Sequence, residues 1–401
     1  MSSLFDVIPL APRDPILGVT EAFNADPRSD KVNLGVGVYY DDQGRIPVLD
    51  SVRSAEAALV AQGLPRGYQP IDGLPAYVRA VQELVFGAGA SALLEGRIVT
   101  AQALGGTGAL RLAAEFLHRF NPEASVWISN PSWENHRAIF ESAGFRVELY
   151  PYYNAETRGL DFPAMRATLA TLPRGAIVVL HVCCHNPTGA DPDSEQWAEL
   201  VELVRERGLV PILDLAYQGF ANGLEADAMP VRRFVEAGIP AFVANSFSKN
   251  FSLYGERVGA LSIVAPHADA AARALSQLKR VVRANYSNPP THGGRVVASV
   301  LTTPALRARW EAELAAMRER IKDMREALVA AVEGAGSSAE FRFVLRQNGM
   351  FSYSGLSPQD VARLRDDDGI YAVDSGRICV AALNTGNVAR VGAAVAARLA
   401  R

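Results

Sequence analysis

At 401 residues, with 49% apolar and 21% charged side chains, the chain is long enough for two domains and a large core. A formal net charge of −3 leaves no basic stripe, which excludes the footprint of a nucleic-acid binder. Three cysteines, Cys183, Cys184 and Cys379, are too few and too badly spaced for a disulfide framework and point to a reducing compartment.

The first residues, Met1-Ser-Ser-Leu-Phe-Asp-Val-Ile, lack a positive n-region and carry an early Asp6, so no secretory signal is read. No apolar run approaches the ~20 residues that span a bilayer. A cytoplasmic protein with no membrane or nucleic-acid partner is expected. Residues 1–30 contain Pro9, Pro12 and Pro15 between short apolar pieces and read as an extended arm that packs on something else, such as a second subunit. Val32 to Tyr40 reads as a short strand interrupted by Gly35 and Gly37, where backbone can approach a ligand or form a simple bulge. Ser51 to Gln62 is helical, and the turn-rich loop from Arg66 to Gly73 holds Tyr68. Ala103-Leu-Gly-Gly-Thr-Gly then runs into a helical pattern carrying Leu110, Leu112, Phe116 and Leu117. A glycine turn feeding a helix N-terminus is suited to an anion, because free N–H groups and the helix dipole point outward. It lacks the lysine of a P-loop and the spacing of a dinucleotide fingerprint.

From about residue 125 strands and helices alternate, which predicts a mainly parallel sheet between helical layers. Ser125 to Ser129 ends in Asn130-Pro-Ser-Trp-Glu-Asn-His136, and Ala176 to His181 ends in Cys183-Cys-His-Asn-Pro-Thr-Gly189. Asp193 and Gln196 form a capping-box pattern for a helix closing at Gly208. Leu209 to Leu213 runs into Asp214-Leu-Ala-Tyr-Gln-Gly219, and Pro240 to Ala244 into Asn245-Ser-Phe-Ser-Lys-Asn250. After Pro304, Trp310, Leu314, Met317, Ile321, Met324 and Leu328 follow a 4-3-4-3-4 spacing that reads as the buried seam of one long helix. Phe341 to Arg401 alternates short strands with helices and ends in a helix from Val388 to Leu399.

Four strand ends therefore share one rim if the sheet is parallel there, and open α/β sheets place ligands at that rim. Taken singly, Lys249 is a solvated loop lysine, Asp214 a turn or cap residue and Trp133 a core side chain. Together they match the needs of a pyridine cofactor. Lys249 offers an amine for its aldehyde, Asp214 a carboxylate for its ring nitrogen, and Trp133 a flat stacking face. Asn186 and Tyr217 can serve the ring oxygen. Gly106, Thr107, Ser246, Ser248 and Arg257 make an anion site for a phosphate.

These motifs, with Ser246-Phe-Ser-Lys-Asn-Phe-Ser-Leu-Tyr-Gly-Glu-Arg-Val-Gly259 and Arg283-Ala-Asn-Tyr-Ser-Asn-Pro-Pro290, resemble the class I aminotransferases from near residue 5 to the C-terminus. The match is closest to the bacterial aspartate and aromatic (tyrosine) branches. The resemblance implies the α/β fold of type I pyridoxal-phosphate transferases: a large domain around a mostly parallel seven-stranded sheet, plus a smaller α/β domain. The expected division is 1–46 (arm and part of the small domain), 47–315 (large domain) and 316–401 (small domain). It implies pyridoxal 5′-phosphate on Lys249, Asp214 at the pyridinium with His181 behind it, and Asn186 and Tyr217 at the ring oxygen. Arg377, assisted by Gly37 and Asn186, would grip the substrate α-carboxylate. Tyr68 and Arg283 would reach the neighbouring active site of a homodimer, Arg283 to meet a distal carboxylate. No metal is called for.

Tyr40 and Ile46 stand where the aspartate-only branch resembles Lys and Thr, and Phe251-Ser-Leu-Tyr-Gly also looks like the aromatic branch. Thr107 and Asn288 look like the aspartate branch, and Gly67 matches neither. Dual specificity for aromatic and dicarboxylic amino acids is expected, with 2-oxoglutarate as acceptor. Two further readings differ in class. A lyase or decarboxylase on the same fold would have little reason to keep Arg283 beside Arg377, and a regulator would need a DNA-binding segment longer than residues 1–30.

Overall fold

The computed structural model describes residues 3–11, 16–337 and 340–399; Pro12 and Pro15 of the expected arm lie outside them. Seven strands form the central sheet: β1 (Ile98–Leu104), β2 (Val126–Asn130), β3 (Val147–Pro151), β4 (Ile177–His181), β5 (Val210–Leu215), β6 (Ala241–Ser246) and β7 (Val258–Val264). Their order is β1-β7-β6-β5-β4-β2-β3, with β7 antiparallel to both neighbours and the other pairings parallel. The expected mostly parallel, seven-stranded α/β sheet is present.

Every residue of β4, β6 and β7 is buried, as expected for strands covered on both faces. The two-residue period sends alternate side chains to opposite cores. Ile177, Val179, Ile212, Phe242 and Ala244 join one apolar cluster. Val178, Leu180, Leu213 and Val243 join the other. Asp193 and Gln196 do form the capping box of helix Ser194–Arg207, and Gly208 closes it with φ 62°, in the left-handed region that glycine tolerates best.

One consequence of this topology positions the chemistry. β2, β4, β5 and β6 all end on the same rim. β1 ends there too, because Leu104 pairs with Val258, the first residue of the reversed strand β7. Helix Gly105–Phe120 starts at that point, so its free N–H groups face the same space as the ends of β4, β5 and β6.

Helix Pro304–Gly334 buries Trp310, Leu314, Met317, Ile321, Met324 and Leu328, the stripe read from the sequence, and runs unbroken past residue 315. Trp310 stacks on Phe251 at 4.6 Å and donates from Nε1 to the carbonyl of Asn250 at 2.7 Å, tying this helix to the loop that carries Lys249. The last helix of the described residues is Val388–Leu399. The reading of Val32 to Tyr40 as a strand is corrected: only Val32–Asn33 is strand, paired in parallel with Ile370–Tyr371. Beyond it the Asn33 side chain accepts the Gly35 N–H at 2.9 Å, a local bond that replaces a ladder bond. Among the described residues no helix is long and apolar enough to cross a membrane.

Candidate active site

A cleft of about 210 Å³ opens on this rim. It gathers thirteen of the residues singled out from the sequence: Gly37, Gly106, Thr107, Trp133, His181, Asn186, Asp214, Tyr217, Ser246, Ser248, Lys249, Arg257 and Arg377. Its polar lining falls into three groups.

The first is an anion cradle. Gly106 and Thr107 lie in the first turn of helix Gly105–Phe120, and Ser246 and Ser248 face them with their hydroxyls 3.1 Å apart. Arg257 closes the cradle, donating to Ser248 Oγ at 3.3 Å and to the carbonyl of Tyr254 at 2.9 Å. Among the described residues none of its hydrogen-bond partners is a carboxylate, so its charge is available to an anion. A Cβ on Gly105, whose φ is +68°, would collide with the guanidinium; glycine is required there on both counts.

The second group lies at the back of the cleft. Asp214, at the end of β5, accepts a hydrogen bond from His136 Nε2 at 2.9 Å, and His136 Nδ1 meets Ser132 Oγ at 2.9 Å. Burial works against the Asp214 charge. The His136 hydrogen bond, with the potential of His136, His181 and Lys249, outweighs it and holds the carboxyl below its usual range. The expectation that His181 backs Asp214 is therefore corrected: the hydrogen-bond partner is His136. His181 stands opposite Asp214 on the neighbouring strand, its ring 4.8 Å from that of His136 and 4.4 Å from that of His185. Burial, reinforced by His136, pushes its pKa down to about 3, and its Nδ1 has no partner among the described residues. It is a neutral imidazole packed beside the pair.

The third group carries Lys249 and Arg377. Of the four lysines in the chain, Lys31 donates to backbone carbonyls, and Lys279 and Lys322 pair with Asp72 and Glu319. Lys249 alone has its amine in the cleft, 5.3 Å from the centre of the Tyr217 ring. Burial lowers its pKa to about 8; Asp214 opposes this shift, and Arg257 and Arg377 add to it. Burial also raises the Tyr217 phenol. Arg377, fully buried, donates to Asn186 Oδ1 at 3.2 Å and to the carbonyl of Gly35, not Gly37, at 2.6 Å, while its Nε has no partner among the described residues. Gly37 contributes space instead: a Cβ there would lie 2.6 Å from the Phe351 ring.

Five expected residues do not line this cleft. Tyr68 is 94% exposed and Ile46 47% exposed. Arg283 sits in the last turn of helix Ala268–Asn285, contacts Ser287 and borders a separate depression with Lys279 and Arg280. Tyr40 is half-buried, its amide bonded to the carbonyl of Ala381, and the amide of Asn288 bonds the carbonyl of Tyr286. Sequence reasoning missed Ile16, Leu110, Ala216, Tyr254 and Phe351 as lining residues. It also passed over His136, whose one signal was its place three residues after Trp133.

A model of the class I and II aminotransferase family matches residues 29–395. This chain belongs to that family. It is 56% identical to an aspartate aminotransferase of Pseudomonas aeruginosa, over 98% of this chain and 99% of the relative. It is 53% identical to an aromatic-amino-acid aminotransferase of Escherichia coli, over 96% and 97%. The crystal structure of an aromatic-amino-acid aminotransferase from Burkholderia pseudomallei, covalently bound to pyridoxal phosphate, superposes with a TM-score of 0.98 at 60% identity, covering 99% of this chain and all of that one.

Proposed function

We propose that this aminotransferase uses pyridoxal 5′-phosphate to move amino groups from aromatic amino acids, and from aspartate and glutamate, to 2-oxo acids such as 2-oxoglutarate. One observation carries the cofactor reading. A lysine amine, a carboxylate held charged and an arginine without a carboxylate partner converge on one cleft. The donor set fits the group: an anion cradle on one side, Trp133 as a flat wall, and Asp214 at depth. When bound, the cofactor supplies an aldehyde carbon that carries the amino group and a ring that accepts the electron pair left when the substrate carbon loses its proton.

The chain's own side chains supply the rest. Lys249 would hold the cofactor through its Nζ, and the same amine would take the proton at the substrate carbon. With a pKa near 8, roughly a tenth of it is neutral at pH 7, far more than an ordinary lysine. Asp214, kept anionic by His136, holds a proton on the ring nitrogen. Asn186 and Tyr217 hydrogen-bond the ring oxygen, and Gly106, Thr107, Ser246, Ser248 and Arg257 hold the phosphate. Arg377 grips the α-carboxylate through its planar fork. Its unpartnered Nε, and partners that are an amide and a carbonyl oxygen rather than a carboxylate, support this role.

A homodimer completes the site in this reading. Tyr68 and Arg283, both exposed and away from their own cleft, would serve the neighbouring one, at the phosphate and at a distal substrate carboxylate. Exposed Leu4, Phe5, Val7, Ile8 and Leu10 give the arm an apolar face for the same partner. A division at residues 46 and 315 would let the N-terminal segment and the C-terminal part close on substrate as one unit. The Val32–Asn33 pairing with Ile370–Tyr371 supports that grouping. Three free, buried cysteines fit a cytoplasmic setting.

Tyr40 and Ile46 favour the aromatic half of the specificity, since replacing polar groups beside a ring's path changes binding by ~1–3 kcal/mol. Thr107 and Asn288 favour the narrower reading of an aspartate aminotransferase with little aromatic activity. Steady-state kinetics with phenylalanine, tyrosine and aspartate against 2-oxoglutarate decide between them. Comparable kcat/KM for tyrosine and aspartate is expected; turnover of aspartate alone ends the aromatic claim.

A further inference from the structure

The long helix Pro304–Gly334 carries one residue that its apolar seam does not explain. Arg325 is 3% exposed, yet among the described residues its hydrogen-bond partners include no carboxylate. Burying a guanidinium without a counter-charge is costly, and an apolar side chain of similar length would avoid that cost. Burial pulls its pKa down to about 10, which leaves it charged at neutral pH.

Its four hydrogen bonds to described residues all go to one short segment. Nη1 donates to the carbonyl of Val344 at 3.1 Å and to Ser352 Oγ, and Nη2 to the carbonyls of Gly349 and Phe351, each at 2.7 Å. The segment is thereby wrapped around a rigid planar fork. What it presents to the cleft is the ring of Phe351. That ring lies 4.4 Å from the Arg377 guanidinium and 6.1 Å, edge-on, from the Tyr217 ring, and it fills the space over Gly37. The same segment also reaches Arg377 through the backbone, because Phe351–Tyr353 pairs with Arg377–Cys379 and Tyr353 stands opposite Arg377.

We propose that Arg325 is a positioning residue for substrate recognition: by fixing residues 344–352 it sets the Phe351 ring and strand against which Arg377 presents its fork to the α-carboxylate. The proposal rests on the reading of Arg377 given above. Both half-reactions use an α-carboxylate, so Arg325 governs amino acid and 2-oxo acid binding alike and is indifferent to the substrate side chain.

The test uses the holoenzyme with Arg325→Lys and Ser352→Ala. Lysine keeps the charge but has three donors and no planar fork, so at least one of the four acceptors is left unpaired. Arg325→Lys is expected to raise KM about tenfold for phenylalanine, aspartate and 2-oxoglutarate together, with kcat within about threefold of the parent. The Kd of 3-phenylpropionate, a carboxylate with no amino group, should rise in parallel by equilibrium titration, and cofactor content should be unchanged. Ser352→Ala removes one bond of the four and is expected to give about a threefold rise; it carries the test if the lysine variant does not fold. A lower Tm with unchanged KM and Kd in the folded variants makes Arg325 merely structural and overturns the proposal. Arg377→Lys is the control. If it leaves KM and Kd unchanged, the reading of Arg377 fails; if it raises them while the Arg325 and Ser352 variants do not, this inference alone fails.

Discussion

Replacing His136 with phenylalanine isolates the bond that keeps Asp214 anionic. The two side chains are buried and 2.9 Å apart, and phenylalanine keeps a flat, slightly larger ring without either nitrogen, so the donor to Asp214 is lost. A hydrogen bond to a charged group contributes about 1.5–3 kcal/mol, which corresponds to a rise of about 1–2 units in the Asp214 pKa. Its native pKa now lies below the ordinary value, so its charge stabilises the fold above the unfolded pKa, and that contribution is lost as pH falls through the native one. The stability gap between parent and His136→Phe should therefore be widest near neutral pH and narrow as the pH falls into the acid range. The acid limb of kcat/KM should move up by the same 1–2 units. Both follow from a pH series of denaturant melts and initial rates. An acid limb that stays in place, with the holoenzyme intact, refutes the claim that His136 sets the charge of Asp214.

Lys249 makes the opposite prediction. Its native pKa is depressed from 10.5 to about 8, so the cofactor-free fold carries a cost below pH 8 that disappears as the amine deprotonates. Lys249→Met should stabilise the cofactor-free protein at pH 7 by an amount on the order of 3 kcal/mol and by much less above pH 10, as read by urea melts. The shared-site reading predicts complementation. Tyr68→Phe combined with Arg283→Ala on one chain, mixed with a chain carrying Lys249→Ala, should regain activity in hybrid dimers with one sound site, where either homodimer is impaired. Arg257→Gln should weaken cofactor retention by about 2 kcal/mol, roughly thirtyfold, by removing a charged partner of the phosphate, and dialysis followed by absorbance reports it.

The parts of this site that the sequence made legible are those held by strand ends. Asp214, Ser246, Ser248 and Lys249 follow directly from apolar runs that stop in polar loops, and parallel pairing brings them to one rim. The capping box at Asp193 and the seam from Trp310 to Leu328 were equally plain, because each depends on local spacing alone. Contacts between segments far apart in the chain were not legible. His136 reaches Asp214 across 78 positions, and Phe351 packs over Gly37 from near the other end of the chain. Nothing in the local pattern around either residue encodes its partner. The strand expected at Val32 to Tyr40 failed for a related reason: its apolar residues pack, but Asn33 satisfies the backbone locally and the ladder stops.

The central claim is that one amine, the Nζ of Lys249, both attaches the cofactor and carries the proton. The most direct measurement is the rate of amino-group exchange between tyrosine and 2-oxoglutarate by purified Lys249→Ala protein supplied with pyridoxal phosphate. A fall of at least about a thousandfold in a variant that melts as the parent does is the predicted result. Exchange at the parental rate would contradict it.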